Sequence, residues 1–268
     1  MCATCGCSTE TDPTMTNLQT GEVLPLSTHS HDHGHSHDHS HPHVHAADGT
    51  TIHLEHLVLA KNNQLAERNR GWFAGRDVLA LNFVSSPGAG KTTLLERTIR
   101  DLSGEMTFRA LEGDQATAND AERIREAGCE VVQINTGTGC HLDASMVAKG
   151  VGQLQPPSGS VLLIENVGNL VCPALFDLGE RAKVVVVSVT EGEDKPIKYP
   201  HMIRASSVLI LNKIDLLPYL KFDVEKCLDY ARQVNHHLTV FQVSATTGEG
   251  LEAWYEWLRA ERKKSGGL

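Results

Sequence analysis

The sequence predicts an α/β fold in which helices flank both faces of a mostly parallel sheet, preceded by a disordered tail rich in cysteine and histidine. From about residue 78 onward, strand-like apolar runs alternate with helical patterns, and this alternation is typical of parallel sheets. The first of these runs leads into a glycine-rich segment and then into a helical pattern. Before residue 50 apolar side chains are sparse, so we expect no core in that region.

Length and composition limit the domain organisation and the function. The 268 residues fit one α/β domain, assigned to residues 51–268, and an N-terminal tail over residues 1–50. The formal net charge of -9 and the lack of a Lys/Arg cluster argue against nucleic acid as a ligand. No apolar stretch suits a membrane span or a signal peptide, so we expect a cytoplasmic protein. Seven cysteines, an odd number, suit thiols and metal sites better than a disulfide framework.

The tail begins with an N-terminal cysteine motif, Cys2, Cys5 and Cys7. Three thiolates at this spacing can bind one ion, and Gly6 allows the tight turn between the last two. Sulfur donors suit Ni(II), and Zn or Cu(I) would accept them too. The alternative is a set of reactive cysteines that bind no metal. We favour a metal site.

A histidine tract follows, in which every second residue is His and the spacers are mostly Ser, Asp and Gly. Such a segment should be disordered without metal, and imidazole is a favoured ligand for Ni, Cu and Zn. The alternatives are a solvated linker or a purification tag, but the tract is internal and its spacers are irregular. We therefore predict that it binds several metal ions. Its candidate ligands are His29, His31, His33, His35, His37, His39, His41, His43 and His45.

The predicted domain starts with a helix and continues with seven strands. Apolar residues at helical spacing predict an amphipathic helix that leads into the fold: Ile52, Leu54, Leu57, Val58 and Leu65. Strand-like runs lie near residues 78–84, 107–112, 130–135, 160–165, 183–189, 207–211 and 238–243. In parallel sheets of this kind ligands bind beyond the carboxyl ends of the strands. We therefore expect the functional residues in the loops that follow these strands.

Residues 85–93, Ser-Ser-Pro-Gly-Ala-Gly-Lys-Thr-Thr, lie between the first strand and a helical pattern. This order predicts the phosphate-binding loop of a P-loop NTPase, although Ser85 stands where the usual consensus has glycine. Glycines let backbone N–H groups turn toward phosphate oxygens, Lys91 reaches the outer phosphates, and Thr92 supplies a Mg²⁺ ligand. The expected phosphate contacts are Gly88, Ala89, Gly90, Lys91, Thr92 and Thr93.

The Asn-Lys-Ile-Asp segment at residues 212–215 follows an apolar strand and indicates which base is bound. The Asp215 carboxylate can accept two hydrogen bonds from the guanine ring N–H and exocyclic amine, a donor pair that adenine lacks. Asn212 and Lys213 would brace the loop and the base. Ser244 and Ala245, after the next apolar strand, look like the supporting base loop of GTPases. We therefore expect GTP and GDP rather than ATP as ligands.

Two acidic residues and a glycine follow other strands of the predicted sheet. Asp114 is placed to help hold Mg²⁺, and Glu165 ends an apolar strand where a Walker B acid would lie. Gly168 could donate its N–H to a γ-phosphate, and loops at such positions order when that phosphate is bound. The alternative is that both acids are surface carboxylates near a turn. Together with Lys91 and Thr92, Asp114 and Glu165 form the predicted catalytic set.

A thiol and an imidazole are adjacent in a glycine-rich loop, and a second thiol follows the predicted γ-phosphate loop. We call Cys140, His141 and Cys172 the Cys140 cluster. Two soft donors and one borderline donor suit Zn or Ni. A lone Cys or His is most often structural, but three such residues after neighbouring strands favour a metal site. If these loops move with nucleotide state, metal affinity and GTP hydrolysis become coupled.

These motifs together resemble the HypB family of hydrogenase maturation GTPases, P-loop GTPases of the SIMIBI class that insert nickel into [NiFe]-hydrogenases. The resemblance covers the domain from Ile52 onward, the N-terminal cysteine motif and the histidine tract. It implies a cytoplasmic GTPase that forms a homodimer through its nucleotide face. It also implies nickel at the N-terminal cysteine motif, nickel or zinc at the Cys140 cluster, and two partners: a HypA-type zinc accessory protein and the hydrogenase large-subunit precursor.

The sequence thus predicts a Mg²⁺-dependent GTPase that inserts nickel, with in-line attack of water on the γ-phosphate. It offers no candidate for orienting that water, so we expect slow intrinsic turnover. One alternative is the related urease accessory GTPase, which typically carries its metal at a Cys-Pro-His motif, whereas Cys-His and Cys-Pro are separate here. The other is a nickel or zinc storage protein in which the GTPase domain only anchors the tail.

Overall fold

The computed structural model describes residues 13–26, 50–115 and 119–265. These residues form one sheet with helices on both faces. The strands are β1 (Thr14–Asn17), β2 (Val23–Pro25), β3 (Leu79–Ser85), β4 (Phe108–Asp114), β5 (Glu130–Asn135), β6 (Val161–Glu165), β7 (Ala182–Ser188), β8 (Val208–Asn212) and β9 (Thr239–Gln242).

The helices follow the strands in the alternation that the sequence predicts. They are α1 (Thr50–Gly75), α2 (Lys91–Leu102), α3 (Asn119–Glu126), α4 (Ala144–Leu154), α5 (Lys195–Lys198), α6 (Pro200–Ala205), α7 (Val224–Val234) and α8 (Leu251–Ser265). Two 3₁₀ helices, Cys172–Ala174 and Ile214–Tyr219, follow β6 and β8. Within the described ranges, no helix is both long and apolar enough to cross a membrane.

The strand order is β2-β1-β5-β4-β6-β3-β7-β8-β9, and all neighbours from β5 to β9 pair in parallel. The predicted mostly parallel sheet is therefore confirmed. All seven predicted strands are present, and their ends differ from the predicted ones by at most two residues. The P-loop strand β3 lies between β6 and β7, so its carboxyl end opens onto loops from both sides.

Strand side chains alternate between two packed layers. On one face the strands pack against α2, α3 and α8, where the Phe83 and Trp254 rings meet edge to face at 6.0 Å. On the other face α1 and α4 cover one half of the sheet, and α6 and α7 cover the other. Cys227 lies in this last layer and is fully buried, as expected for an ordinary core thiol.

The region before residue 50 contributes to the core, contrary to the prediction for residues 1–50. Strand β1 pairs antiparallel with the edge strand β5, and β2 pairs with β1. Met15 and Leu26 are buried against the α4 side of the sheet, and Lys149 Nζ donates to the Leu26 carbonyl. A four-residue strand with one buried apolar side chain has no visible periodicity. The sequence pattern and the composition of this region therefore did not predict β1. The N-terminal cysteine motif and the histidine tract lie outside the described residues.

Helix α1 forms where the sequence predicts a helix, but it buries a different face. Leu57 and Val58 are 66% and 47% exposed, so the predicted apolar face is wrong at these positions. The buried stripe instead contains Asn62, Asn69 and Phe73. The two amides are satisfied by backbone groups of the α4 N-terminus and of the loop after β6, which offsets the cost of burying them.

Candidate functional site

The carboxyl ends of β3, β4 and β6 and the first turn of α2 surround an open cleft of about 490 Å³. The P-loop forms one wall. Gly88 and Gly90 have φ of 77° and 92°, a backbone region that suits glycine. A Cβ on Gly90 would lie 2.5 Å from Asn212 Nδ2. The loop therefore needs glycine both for its turn and for its close approach to the Asn-Lys-Ile-Asp segment at residues 212–215. Because this segment is predicted to read the base, we call it the base-reading segment.

Glu165 anchors the first turn of α2 beneath the P-loop. Its Oε1 accepts hydrogen bonds from Lys91 Nζ and from Thr92 Oγ1, both at 2.7 Å. The Glu165 side chain is 1% exposed, and its Oε2 is buried with no hydrogen-bond partner in the described part of the chain. Asp114 also lines the cleft. A hydroxyl and unsatisfied carboxylate oxygen at one point fit the oxygen ligands that Mg²⁺ prefers.

Glu112 is a residue of the cleft that the sequence analysis did not select. It lies directly beside Glu165 in the parallel register of β4 and β6, and its side chain lines the cleft. Burial, together with the charges of Glu165 and Asp114, raises the pKa of Glu112 to about 9. The Glu-Gly-Asp segment at a strand end was the available signal, since a residue two positions before Asp114 points to the same face of the sheet.

The base-reading segment contacts the P-loop directly. Asn212 Nδ2 donates to the Ala89 carbonyl at 3.0 Å, while its Oδ1 accepts from the Ala245 N–H at 3.1 Å. Lys213 Nζ donates to the Gly88 carbonyl at 2.7 Å. Asp215 is half-buried, and its Oδ1 has no partner among the described residues. The segment is thus fixed to the P-loop through Asn212 and Lys213.

The loop that contains Gly168, predicted to contact a γ-phosphate, packs on the P-loop from the other side. A Cβ on Gly168 would lie 3.1 to 3.3 Å from atoms of Pro87, so only glycine fits this contact without displacing its neighbour. Ser244, predicted to support the base, is fully buried, and its Oγ accepts from the Thr247 N–H. It stabilises the loop that presents Ala245 rather than lining the cleft.

The Cys140 cluster forms from two loops beside this cleft. One ligand atom from each of Cys140, His141 and Cys172 can be chosen so that all three lie within 4.8 Å of one another. Cys140 Sγ lies 3.7 Å from His141 Nδ1. Burial lowers the pKa of His141, which favours the neutral imidazole that binds metal. The three side chains therefore offer three donors of the types that Zn and Ni accept.

Neighbouring residues hold the cluster in shape. The Phe176 ring lies 4.0 Å from the His141 ring, and Asn169 Nδ2 donates to the Cys140 carbonyl at 3.4 Å. Asp143 caps α4 by accepting from two backbone N–H groups of its first turn at 2.8 Å. The cap fixes where the loop after β5 ends, and with it the position of the adjacent imidazole.

Comparison with known proteins identifies close relatives of this chain. Residues 79–242 match the family model described as the CobW/HypB/UreG nucleotide-binding domain. Hydrogenase maturation factor HypB of Escherichia coli strain K12 is 57% identical over 211 residues, which cover 79% of this chain and 73% of that protein. HypB of Rhizobium leguminosarum bv. viciae is 59% identical over 207 residues, covering 77% and 69% of the two chains.

Solved structures with the same name match the fold. Hydrogenase maturation factor HypB from Archaeoglobus fulgidus is 39% identical, with a TM-score of 0.71 over 76% of this chain and 99% of that one. HypB from Helicobacter pylori in complex with nickel is 35% identical, with a TM-score of 0.72 over 76% and 96% of the two chains.

Proposed function

The chain belongs to the HypB family of hydrogenase maturation factors, and we propose that it is a GTP-hydrolysing nickel metallochaperone that binds and stores nickel and helps to insert it into the large subunit of [NiFe]-hydrogenase. The observation that carries this proposal is the shared loop after β6. Glu165, the last residue of β6, contacts Lys91 and Thr92 of the P-loop, and the loop that follows it carries, seven residues later, Cys172 of the Cys140 cluster.

Guanine is the base that the cleft fits best. The contacts of Asn212 and Lys213 with the P-loop fix the segment, and the unpartnered Asp215 Oδ1 is available to accept from a base. A carboxylate at this point accepts from the paired donors of guanine and repels the acceptor edge of adenine. This supports GTP and GDP as the ligands.

Hydrolysis would proceed by in-line attack of water on the γ-phosphate. Lys91 would stabilise the charge that develops on the phosphate oxygens, and Gly168 would donate its N–H to the same group. Thr92, Asp114 and Glu165 would hold Mg²⁺, which supplies neutralising charge between the phosphates. We infer slow intrinsic turnover, because neither Lys91 nor Thr92 can orient the attacking water.

Nickel is the proposed cargo. Cys140 and Cys172 would bind it as thiolates and His141 as a neutral imidazole, and the same donors also accept zinc. In storage, the N-terminal cysteine motif and the histidine tract would hold further ions. The nickel complex of the Helicobacter pylori relative supports nickel as a ligand of this family.

Two proposed partners take part in nickel transfer. A HypA-type accessory protein would exchange metal with the chain, and the hydrogenase large-subunit precursor would receive it in the cytoplasm. Val171 and Leu175, on either side of the Cys172 turn, are 54% and 50% exposed, which suits a surface that a protein partner covers. We propose a nucleotide- or metal-dependent homodimer and, given the net charge of -9, no nucleic-acid partner.

Substitution of Lys91 separates insertion from storage. In cells that depend on this chain for hydrogenase activity, Lys91→Ala should abolish GTP binding and hydrogenase maturation while the purified chain keeps its tail-bound nickel. Lys264→Ala is the matched control, since Lys264 is 63% exposed in α8 and contacts only Glu261 among the described residues. Normal maturation with Lys91→Ala would instead support the storage protein.

A further inference from the structure

Four buried polar side chains form a continuous chain of contacts through the sheet; we call Asn82, Asn166, Glu180 and Lys183 the buried relay. They are 0%, 1%, 8% and 6% exposed, respectively. Asn82 lies in the middle of the central strand β3, between apolar residues. A side chain of this type in a sheet core lowers stability unless its hydrogen bonds are satisfied.

One end of the relay lies at the nucleotide cleft. Asn166 directly follows Glu165, whose Oε1 accepts hydrogen bonds from the P-loop side chains. The Oδ1 of Asn166 accepts from the Leu142 N–H at 3.1 Å, and its Nδ2 donates to Asn82 Oδ1 at 3.3 Å. Because Leu142 follows His141, Asn166 connects the P-loop side of the sheet to the backbone of the loop that carries His141.

The other end of the relay holds the loop that carries the second thiol of the cluster. Asn82 Nδ2 donates to Glu180 Oε1 at 3.0 Å, and the same oxygen lies 3.7 Å from Lys183 Nζ. Lys183 Nζ donates to the carbonyls of Pro173 and Phe176 at 2.7 and 3.1 Å. These carbonyls flank the turn that follows the thiol, and the Phe176 ring stacks on the imidazole. Both loops that carry the cluster are therefore hydrogen-bonded to the relay.

Stability alone is a weak reason for this arrangement. A buried ion pair and two buried amides can be replaced by apolar side chains of similar volume with little loss or even a gain of stability. Removing a single member, however, leaves its partners buried and unsatisfied. A displacement of one member therefore costs hydrogen bonds unless its partners follow, and this coupling between neighbours is the property that a switch element requires.

We propose that the buried relay positions the two metal-binding loops and transmits the nucleotide state of the cleft to the Cys140 cluster. This rests on the proposed function, in which the cleft binds GTP and the cluster binds nickel. A γ-phosphate that contacts Lys91 and the Gly168 N–H alters the contacts of the segment from Glu165 to Gly168. Asn166 lies inside that segment, so its displacement shifts the loop at His141 and, through the rest of the relay, the loop at Cys172.

Nickel titration of the full chain tests this proposal with sulfur-to-nickel charge-transfer absorption as the readout. Cys2→Ser, Cys5→Ser and Cys7→Ser in the parent chain confine this absorption to the Cys140 cluster, because the histidine tract contains no sulfur and the other two thiols, Cys129 and Cys227, are buried outside the cluster. The half-saturating nickel concentration is measured with GDP and with a non-hydrolysable GTP analogue. We expect the two values to differ about 5-fold or more.

Two relay variants should remove that difference. In Asn82→Leu and in Lys183→Met the ratio of the two nickel concentrations should fall to about 1, while GTP affinity changes less than about 2-fold and the absorption band persists. Thr98→Val is the matched control: Thr98 is fully buried and hydrogen-bonded in α2 but lies outside the relay. It should keep the parent ratio. Circular dichroism establishes that each variant folds, and each relay variant is tested independently in case one does not.

The outcomes are distinguishable. A parent ratio that persists in both folded relay variants overturns the relay, as does a ratio of 1 in the parent chain. In either case a normal absorption band and GTP hydrolysis leave the proposed function in place. A parent chain with no band at all overturns the nickel site of the proposed function, and the relay with it.

Discussion

The nucleotide cleft and the Cys140 cluster lie at the same edge of the sheet but are organised differently. In the cleft, functional side chains contact one another: Lys91 and Thr92 both donate to Glu165 at 2.7 Å. In the cluster, Cys140 Sγ and His141 Nδ1 lie 3.7 Å apart, and neighbouring side chains hold the loops. The comparison teaches that a substitution in the cleft should disturb several functional contacts at once. A substitution in the cluster should instead remove one metal ligand and leave the two loops in place.

The largest effect should come from a steric clash between the P-loop and the base-reading segment. In Gly90→Ala, the added Cβ lies 2.5 Å from Asn212 Nδ2 at a φ of +92°, so we expect loss of measurable GTP binding. Gly152→Ala is the control, because nothing lies within 4 Å of a Cβ there, and it should gain roughly 0.5–1 kcal/mol from helix propensity. Calorimetry with GTP measures binding; wild-type affinity in Gly90→Ala would contradict the geometry.

Asp215→Asn should come next in size. The amide replaces a charged acceptor by a group that cannot accept two bonds from guanine, so GTP affinity should fall about 10²- to 10⁴-fold. Xanthosine triphosphate, whose base presents an acceptor at that edge, should gain affinity. Competition binding with both nucleotides measures the exchange, and equal GTP affinity in variant and parent would remove the guanine assignment. Asp229→Asn, an exposed residue of α7, is the control.

Loss of a cluster ligand should have a smaller and more local effect. In the chain with serine at the three N-terminal cysteines, Cys172→Ser should weaken nickel binding by about 10- to 100-fold and remove part of the charge-transfer absorption. GTP affinity should not change, since the position of the two loops does not depend on the thiol. Cys227→Ser, at a fully buried thiol in the α7 layer, controls for loss of sulfur. An unchanged nickel titration in Cys172→Ser would exclude this thiol as a ligand.

The smallest effect concerns the pH dependence of stability at Glu112. Its pKa is raised from 4.5 to about 9 by burial and by neighbouring carboxylates, so between these values the folded chain holds a proton that the unfolded chain releases. The stability that this group contributes is present below about pH 4.5 and is lost as the pH rises toward 9. Without nucleotide or metal, Glu112→Gln should raise Tm at pH 8.5 by at least about 2–4 °C, the change that about 1 kcal/mol produces in a domain of this size.

The same substitution should change Tm least at pH 4 or below, where the Glu112 carboxyl is protonated in both the folded and the unfolded chain. Thermal unfolding across the pH range measures both values. Glu225→Gln, at an exposed position of α7, is the control and should give the same dependence of Tm on pH as the parent chain. Parallel profiles for Glu112→Gln and the parent would show that this carboxyl ionises freely in the fold.

Contiguous motifs made most of this molecule predictable from the sequence. The P-loop and the Asn-Lys-Ile-Asp segment each carry their chemistry within a few residues. The spacing of apolar residues and the turn residues between apolar runs locate the strands around them. The Cys140 cluster was predictable because Cys and His are rare enough for two loops to be matched. The Glu-Gly-Asp segment was a local signal for Glu112, but its position beside Glu165 depends on the register of β4 against β6, which no local pattern contains.

Features that depend on tertiary hydrogen bonds were not predictable. Asn62 and Asn69 of α1 are buried because distant backbone groups satisfy their amides, whereas an apolar stripe was expected on that helix. The buried relay escapes sequence analysis for the same reason, since Asn82 and Lys183 interrupt apolar strands without a periodic signal. Strand β1 gains its place from backbone pairing with β5, which depends little on its side chains.

The pairing of β1 with β5 changes the reach of the histidine tract. Residues 27–49 connect Leu26, which is fixed to the edge of the sheet, to α1, which is fixed to α4 through Asn62. Both ends of the segment that contains the tract are therefore attached to the same body. If the tract holds nickel, as we propose, its transfer to the Cys140 cluster would be an intramolecular step, with an effective concentration on the order of millimolar. Delivery within one molecule would then be independent of protein concentration, and dilution would slow only the steps that involve a partner.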